Sequence, residues 1–410
     1  MDLSKRFENG LGLPDTIKKI HESPYRAVLA ITGGGTGSVG ELLRHGRGSN
    51  TVLEVMVPYS KVSLQELLGK EPIRSASVDT AKEMAMAAYR RALYLSSKTG
   101  EFSPNMLIGI GVTCKLAKSG KERVGRSHEI HFSSQSYDRT TVSSLFLNGN
   151  QNREKQEKIA SQFIIEKISS ICCPDEKTEL RAMKERIFRD LQEDEVKVDP
   201  SVAWLLSRTL EDINSKKNIR PLKVDMLINR NISQDRSRPR IILSGSFNPC
   251  HKNHIEMARI ACGKYKVPVD FEISLANVDK PPIDYISLQE RTDSVLKYRD
   301  EKCMGNLYLT NSSLFADKAI LFPDSVFIIG TDTLNRLFNE KYYREGEDRQ
   351  SLLDHFKKHN VRFMVFRRKD AEADNMMEIP EICDVVSQKI YDDDGTSSSM
   401  IREQQNSRVI

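Results

Sequence analysis

Apolar residues are laid out along the chain in two rhythms. Short strand-like runs occur at 27–31, 51–58, 241–243, 269–278, 305–310, 325–329, 361–366 and 384–390, and each predicts a strand. Between them apolar positions recur every three or four residues, which predicts helices over 77–92, 153–171, 202–213, 255–261, 312–320 and 351–359. Ser77 stands where the first of these would be capped, and Ser287 with Glu290 reads as a capping box opening another helix toward residue 299. Leu180, Met183, Ile187 and Leu191 keep helical spacing within a charged stretch, so 174–199 is predicted as an amphipathic helix too. Alternation of strand and helix at these lengths predicts an α/β fold built on a parallel sheet with helices on both faces.

Length turns that pattern into more than one domain. A chain of 410 residues is longer than one core usually organises, and the polar stretch 229–240, rich in Arg and Asn, marks a boundary. The predicted division is an arm at 1–24, a first domain at 25–171, a helical connector at 172–238 and a second domain at 239–410. A net charge of +5, from 62 basic and 57 acidic residues, suits a protein that handles phosphates. It does not suit a nucleic-acid groove, which would need basic runs interleaved with aromatic residues. No uncharged apolar run approaches the about 18 residues of a membrane span, and residues 1–26 hold no signal-peptide core. The expected setting is therefore cytoplasmic and away from membranes. Seven scattered cysteines make neither a disulfide framework nor a metal-ligand spacing.

The densest chemistry lies at 240–261. There the run 241–243 ends in Ser244-Gly245-Ser246-Phe247-Asn248-Pro249, and His251 and His254 stand at the mouth of the helix that follows. A three-residue spacing puts both imidazoles on one side of the first turn. The open N–H groups and positive dipole end of that turn make an anion site. Gly245 lets the loop backbone come close to a phosphate, and Pro249 stiffens it. Strand, loop and helix packed into about twenty residues predict the first unit of a doubly wound, nucleotide-binding sheet.

Gly245-Ser246-Phe247-Asn248-Pro249-Cys250-His251-Lys252-Asn253-His254 resembles the G-x-F-x-P-x-H-x-G-H signature of the nucleotidyltransferase superfamily, most closely its nicotinamide/nicotinate mononucleotide adenylyltransferase branch. Asn253 stands where that signature has Gly, and as the next-best residue for a left-handed backbone it is expected to keep the geometry. Two later segments follow in the same order: 326–334 is similar to I-I-G-x-D-x-L, and 396–402 to I-S-S-T-x-I-R. The resemblance implies a Rossmann-like domain that transfers the adenylyl group of ATP to nicotinamide or nicotinate mononucleotide and releases pyrophosphate. It implies catalytic roles for His251, His254 and Arg402. It also implies a nucleotide pocket lined by Gly245, Ser246, Phe247, Asn248, Gly330 and Asp332, with Ser398 and Ser399 beside Arg402 on the ATP tail. ATP and a pyridine mononucleotide are the expected partners. Mg²⁺ is expected on the phosphates rather than in a protein metal box, and a homo-oligomer is left open.

Nearer the start, the run 27–31 enters Thr32-Gly33-Gly34-Gly35-Thr36-Gly37-Ser38. Strand, glycine loop and helix form a phosphate-cradle pattern, here without a P-loop lysine or dinucleotide spacing, and a tight strand-to-helix turn would read the same. Together with Gly48-Ser49-Asn50, Tyr59-Ser60, Leu67-Leu68-Gly69, 75–85, 108–113 and Arg123-Val124-Gly125, it resembles the CinA-type C-terminal domain, the nicotinamide-nucleotide amidase family, over about 25–170. That family carries E-S-C-T-G-G with a serine nucleophile, but Leu29 and Ala30 occupy the acid and serine positions here. Amide hydrolysis therefore lacks its hydroxyl unless Thr32, Thr36 or Ser38 supplies one, and Thr32, Gly33, Gly34, Gly35 and Thr36 stay as a phosphate-loop candidate. Two other functions remain open. One is a nucleotidyltransferase acting on another phosphate such as phosphopantetheine, against which His251 stands, because that branch resembles a T-x-G-H form. The other is a non-catalytic nucleotide-binding scaffold, suggested by Ala30 and Asn253.

Overall fold

The computed structural model describes residues 13–118, 125–147, 149–174, 191–215, 225–228, 238–276, 282–343, 346–367, 379–391, 393–398 and 400–402. The chain divides into two compact units, Met1–Ser215 with Asp279–Ile286, and Lys216–Val278 with Ser287–Ile410.

The first unit runs α1 (Leu13–Glu22), β1 (Arg26–Thr32), α2 (Gly37–Arg44), β2 (Val52–Met56), α3 (Lys61–Leu68), α4 (Val78–Thr99), β3 (Leu107–Lys115), β4 (His128–Gln135), β5 (Arg139–Leu147), α5 (Arg153–Cys172), β6 (Leu191–Lys197) and α6 (Pro200–Ser215). Its six strands lie in the order β2-β1-β3-β4-β5-β6. The β2-β1-β3 part is parallel and the rest antiparallel. Ser77 caps α4 as expected, accepting the Thr80 N–H at 3.2 Å. The helix crosses β3 where a Cβ on Gly109 or Gly111 would lie 2.1–2.2 Å from its backbone, so helix and sheet approach closely only because those positions are bare. On the opposite face Ile17, Ile20, Phe163, Ile164 and Ile168 pack against Leu29, Ile31, Ile110 and Val112.

Two features depart from the sequence pattern. The β4–β5 hairpin lies where no strand is predicted, because one of its faces buries mostly polar side chains, His131, Ser133, Gln135, Thr140 and Ser144, around Val142. Those groups stay satisfied by bonding across the hairpin, as in Thr140 Oγ1 to Gln135 Oε1 at 2.5 Å. The helix predicted over 174–199 is corrected at its end: Leu191–Lys197 is an edge strand paired antiparallel with β5. Its mostly exposed acidic side chains and free ladder partner favour strand pairing over the weak helical spacing of Leu191. Leu180, Met183 and Ile187 lie outside the described residues, as do Arg123 and Val124.

The second unit contains β7 (Asp225–Ile228), β8 (Arg240–Ser244), α7 (Lys252–Tyr265), β9 (Val269–Ser274), all but the first two residues of α8 (Tyr285–Leu296), β10 (Met304–Thr310), α9 (Phe315–Leu321), β11 (Ser325–Gly330), α10 (Thr331–Leu337), α11 (Arg349–Lys358), β12 (Arg362–Phe366) and β13 (Cys383–Val385). The sheet order is β13-β12-β11-β8-β9-β10-β7, parallel throughout except for β7 against β10. This is the doubly wound sheet that the pattern predicts. Its strands read as continuous apolar runs because both faces are buried: Ile242, Phe327, Ile329, Phe363 and Val365 join Phe322, Phe338 and Phe356 in one cluster. Three boundaries shift. Helix α8 begins at Tyr285, so Ser287 and Glu290 lie inside it rather than at its cap; β9 stops at Ser274; and β13 spans only Cys383–Val385. No helix among the described residues is long and apolar enough to cross a membrane.

From β8 the chain winds outward through β9 and β10, then returns to the other side of β8 and winds outward through β11, β12 and β13. The winding reverses between β8 and β11. Ligands of such sheets bind outside the carboxyl ends of the strands at that reversal.

Candidate active site

Ile328 pairs with Leu243, so β11 and β8 reach their carboxyl ends side by side. The segment after β8 carries Gly245 to His254, and Gly330 caps α10 directly after β11. Topology alone thus brings together the first two motifs. Gly330 is buried, Asp332 is an exposed acidic residue in the first turn of α10, and Ser246 is exposed at the loop tip.

The loop between β8 and α7 is held largely through its backbone. Phe247 sits at φ +42°, outside the usual range for a residue with a side chain, with its ring buried against Phe271 and edge-on to His254, centroids 5.5 and 5.1 Å away. A Cβ on Gly245 would meet that ring at 3.0 Å, so Gly245 also makes room for Phe247. Ser294 of α8 accepts the Cys250 N–H at 2.8 Å, with its hydroxyl 3.2 Å from the Phe247 carbonyl. Burial pushes the Cys250 thiol up to about 12, which removes it as a nucleophile near neutral pH.

His251 is the N-cap of α7, with an extended backbone and a buried side chain. Its carbonyl accepts the His254 N–H at 3.0 Å, and its own N–H lies 3.2 Å from His254 Nδ1. A backbone N–H can only donate, so Nδ1 is the bare nitrogen and the proton of a neutral His254 ring sits on Nε2. The two imidazoles lie 3.9 Å apart between centroids, with their planes tilted by 39°. This places a defined N–H donor and a second imidazole at the first turn of a helix, where main-chain N–H groups and the dipole already favour an anion.

The third motif comes to the same place. Ser398 donates its hydroxyl to the Pro249 carbonyl at 2.9 Å, and Arg402 Nη1 donates to the Asn248 carbonyl. Ser399 lies outside the described residues. Asn253 corrects one expectation: it has an ordinary helical backbone, not a left-handed one. Its amide instead donates to Asp393 at 2.8 Å, Asp394 at 2.9 Å and the Thr396 carbonyl at 3.3 Å, fastening the third motif to the helix of the first. Lys252 pairs with Asp394 beside it. That ammonium, then Thr396 and the Asn253 amide, hold the Asp394 carboxyl well below the usual carboxylate range.

In the first unit the glycine loop is folded against its own neighbours. Thr32 donates to the Pro58 carbonyl at 2.9 Å, and Ser38 to the Gly35 carbonyl at 2.7 Å. The Glu157 carboxylate accepts the N–H groups of Gly35 at 2.8 Å and Gly37 at 3.3 Å, with the Thr36 hydroxyl 3.4 Å away. Gly33 is needed because a Cβ there would lie 2.0 Å from the Cys114 carbonyl oxygen, and its own carbonyl accepts from Arg153 at 2.8 Å. The Gly34 carbonyl lies 3.4 Å from the Cys114 thiol.

Several groups escape a reading by motif. Ser294, Glu272, Thr310 and Lys318 belong to no signature. A signal did exist for two of them: Glu272 interrupts a central strand that should be apolar throughout, and Lys318 sits between Ala316 and Ala319 on the buried stretch of α9.

Comparison with known proteins agrees with the geometry of the second unit. Residues 242–404 match the family model described as Cytidylyltransferase-like. A fission yeast protein (Schizosaccharomyces pombe) named "Putative nicotinamide mononucleotide adenylyltransferase" is 30% identical over 128 residues, 29% of this chain and 50% of that protein, so the match spans about half of the relative's length. The N-terminal half is similar to solved structures of a competence/damage inducible protein from Agrobacterium tumefaciens (15% identity, TM-score 0.32, covering 39% of this chain and 95% of that one) and a CinA superfamily protein from Escherichia coli (14%, 0.31, 39% and 90%). Residues 242–404 form a cytidylyltransferase-like, nucleotidyltransferase-type domain.

Proposed function

We propose that the second unit transfers the adenylyl group of ATP to nicotinamide or nicotinate mononucleotide. The observation that carries the reading is the paired His251 and His254 at the mouth of α7, with the His254 ring set by the His251 N–H, at the winding reversal of the sheet. The mononucleotide phosphate oxygen attacks the α-phosphorus of ATP, a new P–O bond forms, and the α–β bridging bond breaks with its electrons leaving on pyrophosphate. Such a transfer needs positioning and charge neutralisation more than covalent help. The N–H groups of α7 and His254 Nε2–H receive phosphate oxygens as negative charge shifts toward the leaving group. Arg402, brought beside the loop, extends the grip along the ATP tail, where a planar guanidinium suits phosphate oxygens, while Ser398, whose hydroxyl is given to the Pro249 carbonyl, seats that segment against the loop. Mg²⁺ enters as part of the MgATP substrate, with phosphate oxygens and water as its ligands. The described residues bring together no group of three or more His, Cys, Asp or Glu that would form a separate cage. The choice of a pyridine mononucleotide is supported by the similarity to the yeast protein of that name.

For the first unit we propose a role without amide hydrolysis. Ala30 is fully buried within β1, and Thr32 and Ser38 donate their hydroxyls to backbone carbonyls. None of these positions supplies the activated hydroxyl that a serine-type amidase needs.

The decisive assay is pyrophosphate release from MgATP with a panel of phosphate acceptors. Release with nicotinamide or nicotinate mononucleotide and none with phosphopantetheine is expected; release only with another acceptor, or none at all, would reject the proposal. His254→Ala should slow turnover by two to four powers of ten, about 3 to 5 kcal/mol of barrier, without unfolding the protein. His254→Gln, which places an amide N–H near the Nε2 position, should retain more activity than His254→Asn. Arg402→Ala should raise the KM for ATP as well as lower kcat, since a charge-assisted grip acts on both ground and transition states; an unmoved KM would detach Arg402 from the ATP tail. The whole protein should release no ammonia from nicotinamide mononucleotide, and ammonia release abolished by Thr32→Ala or Thr36→Ala would reveal a replacement nucleophile.

A further inference from the structure

Beneath the Gly245 loop, three neighbouring strands end on a buried ionic cluster that the transfer described above does not use. Glu272 on β9 is completely buried and Lys318 on α9 nearly so, with Lys318 Nζ 2.7 Å from Glu272 Oε2. Ser244, the last residue of β8, donates to that same carboxylate oxygen at 2.6 Å and accepts from Lys318 Nζ at 2.6 Å. Thr310, the last residue of β10, donates to Glu272 Oε1 and accepts the Ser312 N–H at 3.2 Å. The main-chain carbonyl of Glu272 takes the Gly245 N–H at 3.1 Å. A single acidic residue, neutralised by a single lysine, thus ties the carboxyl ends of β8, β9 and β10 together and fixes the first peptide of the loop.

A buried ion pair is a poor device for stability, because desolvating two charges offsets their attraction and apolar side chains of similar volume serve as well. What the pair provides instead is direction. Its hydrogen bonds fix the Ser244 hydroxyl, and with it the point where the chain leaves the sheet, at the end of the strands that faces the ligand crevice. We infer that Lys318 is a positioning residue for adenylyl transfer, acting through Glu272 and Ser244 on the loop that carries Gly245 and Phe247. The inference rests on the adenylyltransferase reading of this unit. Neither charge need touch substrate. Their effect is on the placement of the loop, to which a transfer step between two bound anions is sensitive.

The test uses the full chain with Lys318→Met, which keeps the apolar stem and removes the charge, and the double variant Glu272→Gln/Lys318→Met, which leaves no uncompensated buried charge. Lys318→Met should lower kcat at saturating substrates by about tenfold or more, a loss in keeping with slight misplacement of reacting groups, with little change in either KM. The double variant should regain most of the wild-type Tm yet keep the low kcat; it also supplies the measurement if the single variant does not fold. Amide hydrogen exchange over 245–248, followed without substrate, should be faster in both variants. Wild-type kcat in a folded single variant, or kcat recovering along with Tm in the double one, would overturn the inference. If the wild-type protein transfers no adenylyl group to any acceptor, the functional reading fails by itself; unchanged exchange over 245–248 would then reject Lys318 as the holder of the loop, and faster exchange would retain it.

Discussion

The loop after β8 is held in place by committing its backbone hydrogen-bonding groups to partners from other elements of the same unit. The Gly245 N–H goes to Glu272, the Cys250 N–H to Ser294 and the His251 N–H to His254. The carbonyls of Asn248 and Pro249 go to Arg402 and Ser398. With these groups committed on both sides of it, the loop can keep an unusual turn at Phe247. The mouth of α7 is then presented in one orientation, and the histidine pair inherits that orientation.

Much of this could be read from residues alone, for a definite reason. Motif residues are local: a strand, a Gly-x-Phe-x-Pro turn and two histidines at helical spacing announce their own geometry, and the parallel order of the sheet follows from alternating elements. What escaped was long-range or inverted in polarity. Asn253 looked like a substitute for backbone freedom, whereas its amide reaches residues 140 and 141 positions away. The β4–β5 hairpin hid because one of its two buried faces is largely serine, threonine, glutamine and histidine, with their polar groups satisfied across the hairpin. Leu191 lent helical spacing to a stretch whose last part completes a sheet. Glu272 and Lys318 were visible as charges in apolar settings, but nothing local says that one neutralises the other.

The two glycine-bearing loops make an instructive contrast. Both follow a parallel strand and lead into a helix. After β1, however, the N–H groups of Gly35 and Gly37 meet an internal carboxylate from Glu157, and close packing against Cys114 and Ile164 accounts for the absence of side chains at Gly33 and Gly35. After β8 the glycine makes room for an aromatic ring, and the helix mouth carries imidazoles instead of a carboxylate. The same strand-loop-helix outline thus yields one turn whose donors are answered by an internal carboxylate and another whose helix mouth carries a pair of imidazoles.

The fastening of the third motif to α7 is of two kinds, and they respond differently to the surroundings. The Asn253 amide makes bonds that do not depend on its own charge, whereas Lys252 and Asp394 form an ion pair with side chains 69% and 39% exposed. An exposed pair is weakened by dissolved salt, whose screening length is about 8 Å at physiological ionic strength. Ionic strength therefore acts on one of the contacts that hold the third motif against α7, while the amide and the hydrogen bonds of Ser398 and Arg402 keep its register, so the junction of the two motifs is a place where the bulk electrolyte reaches the loop.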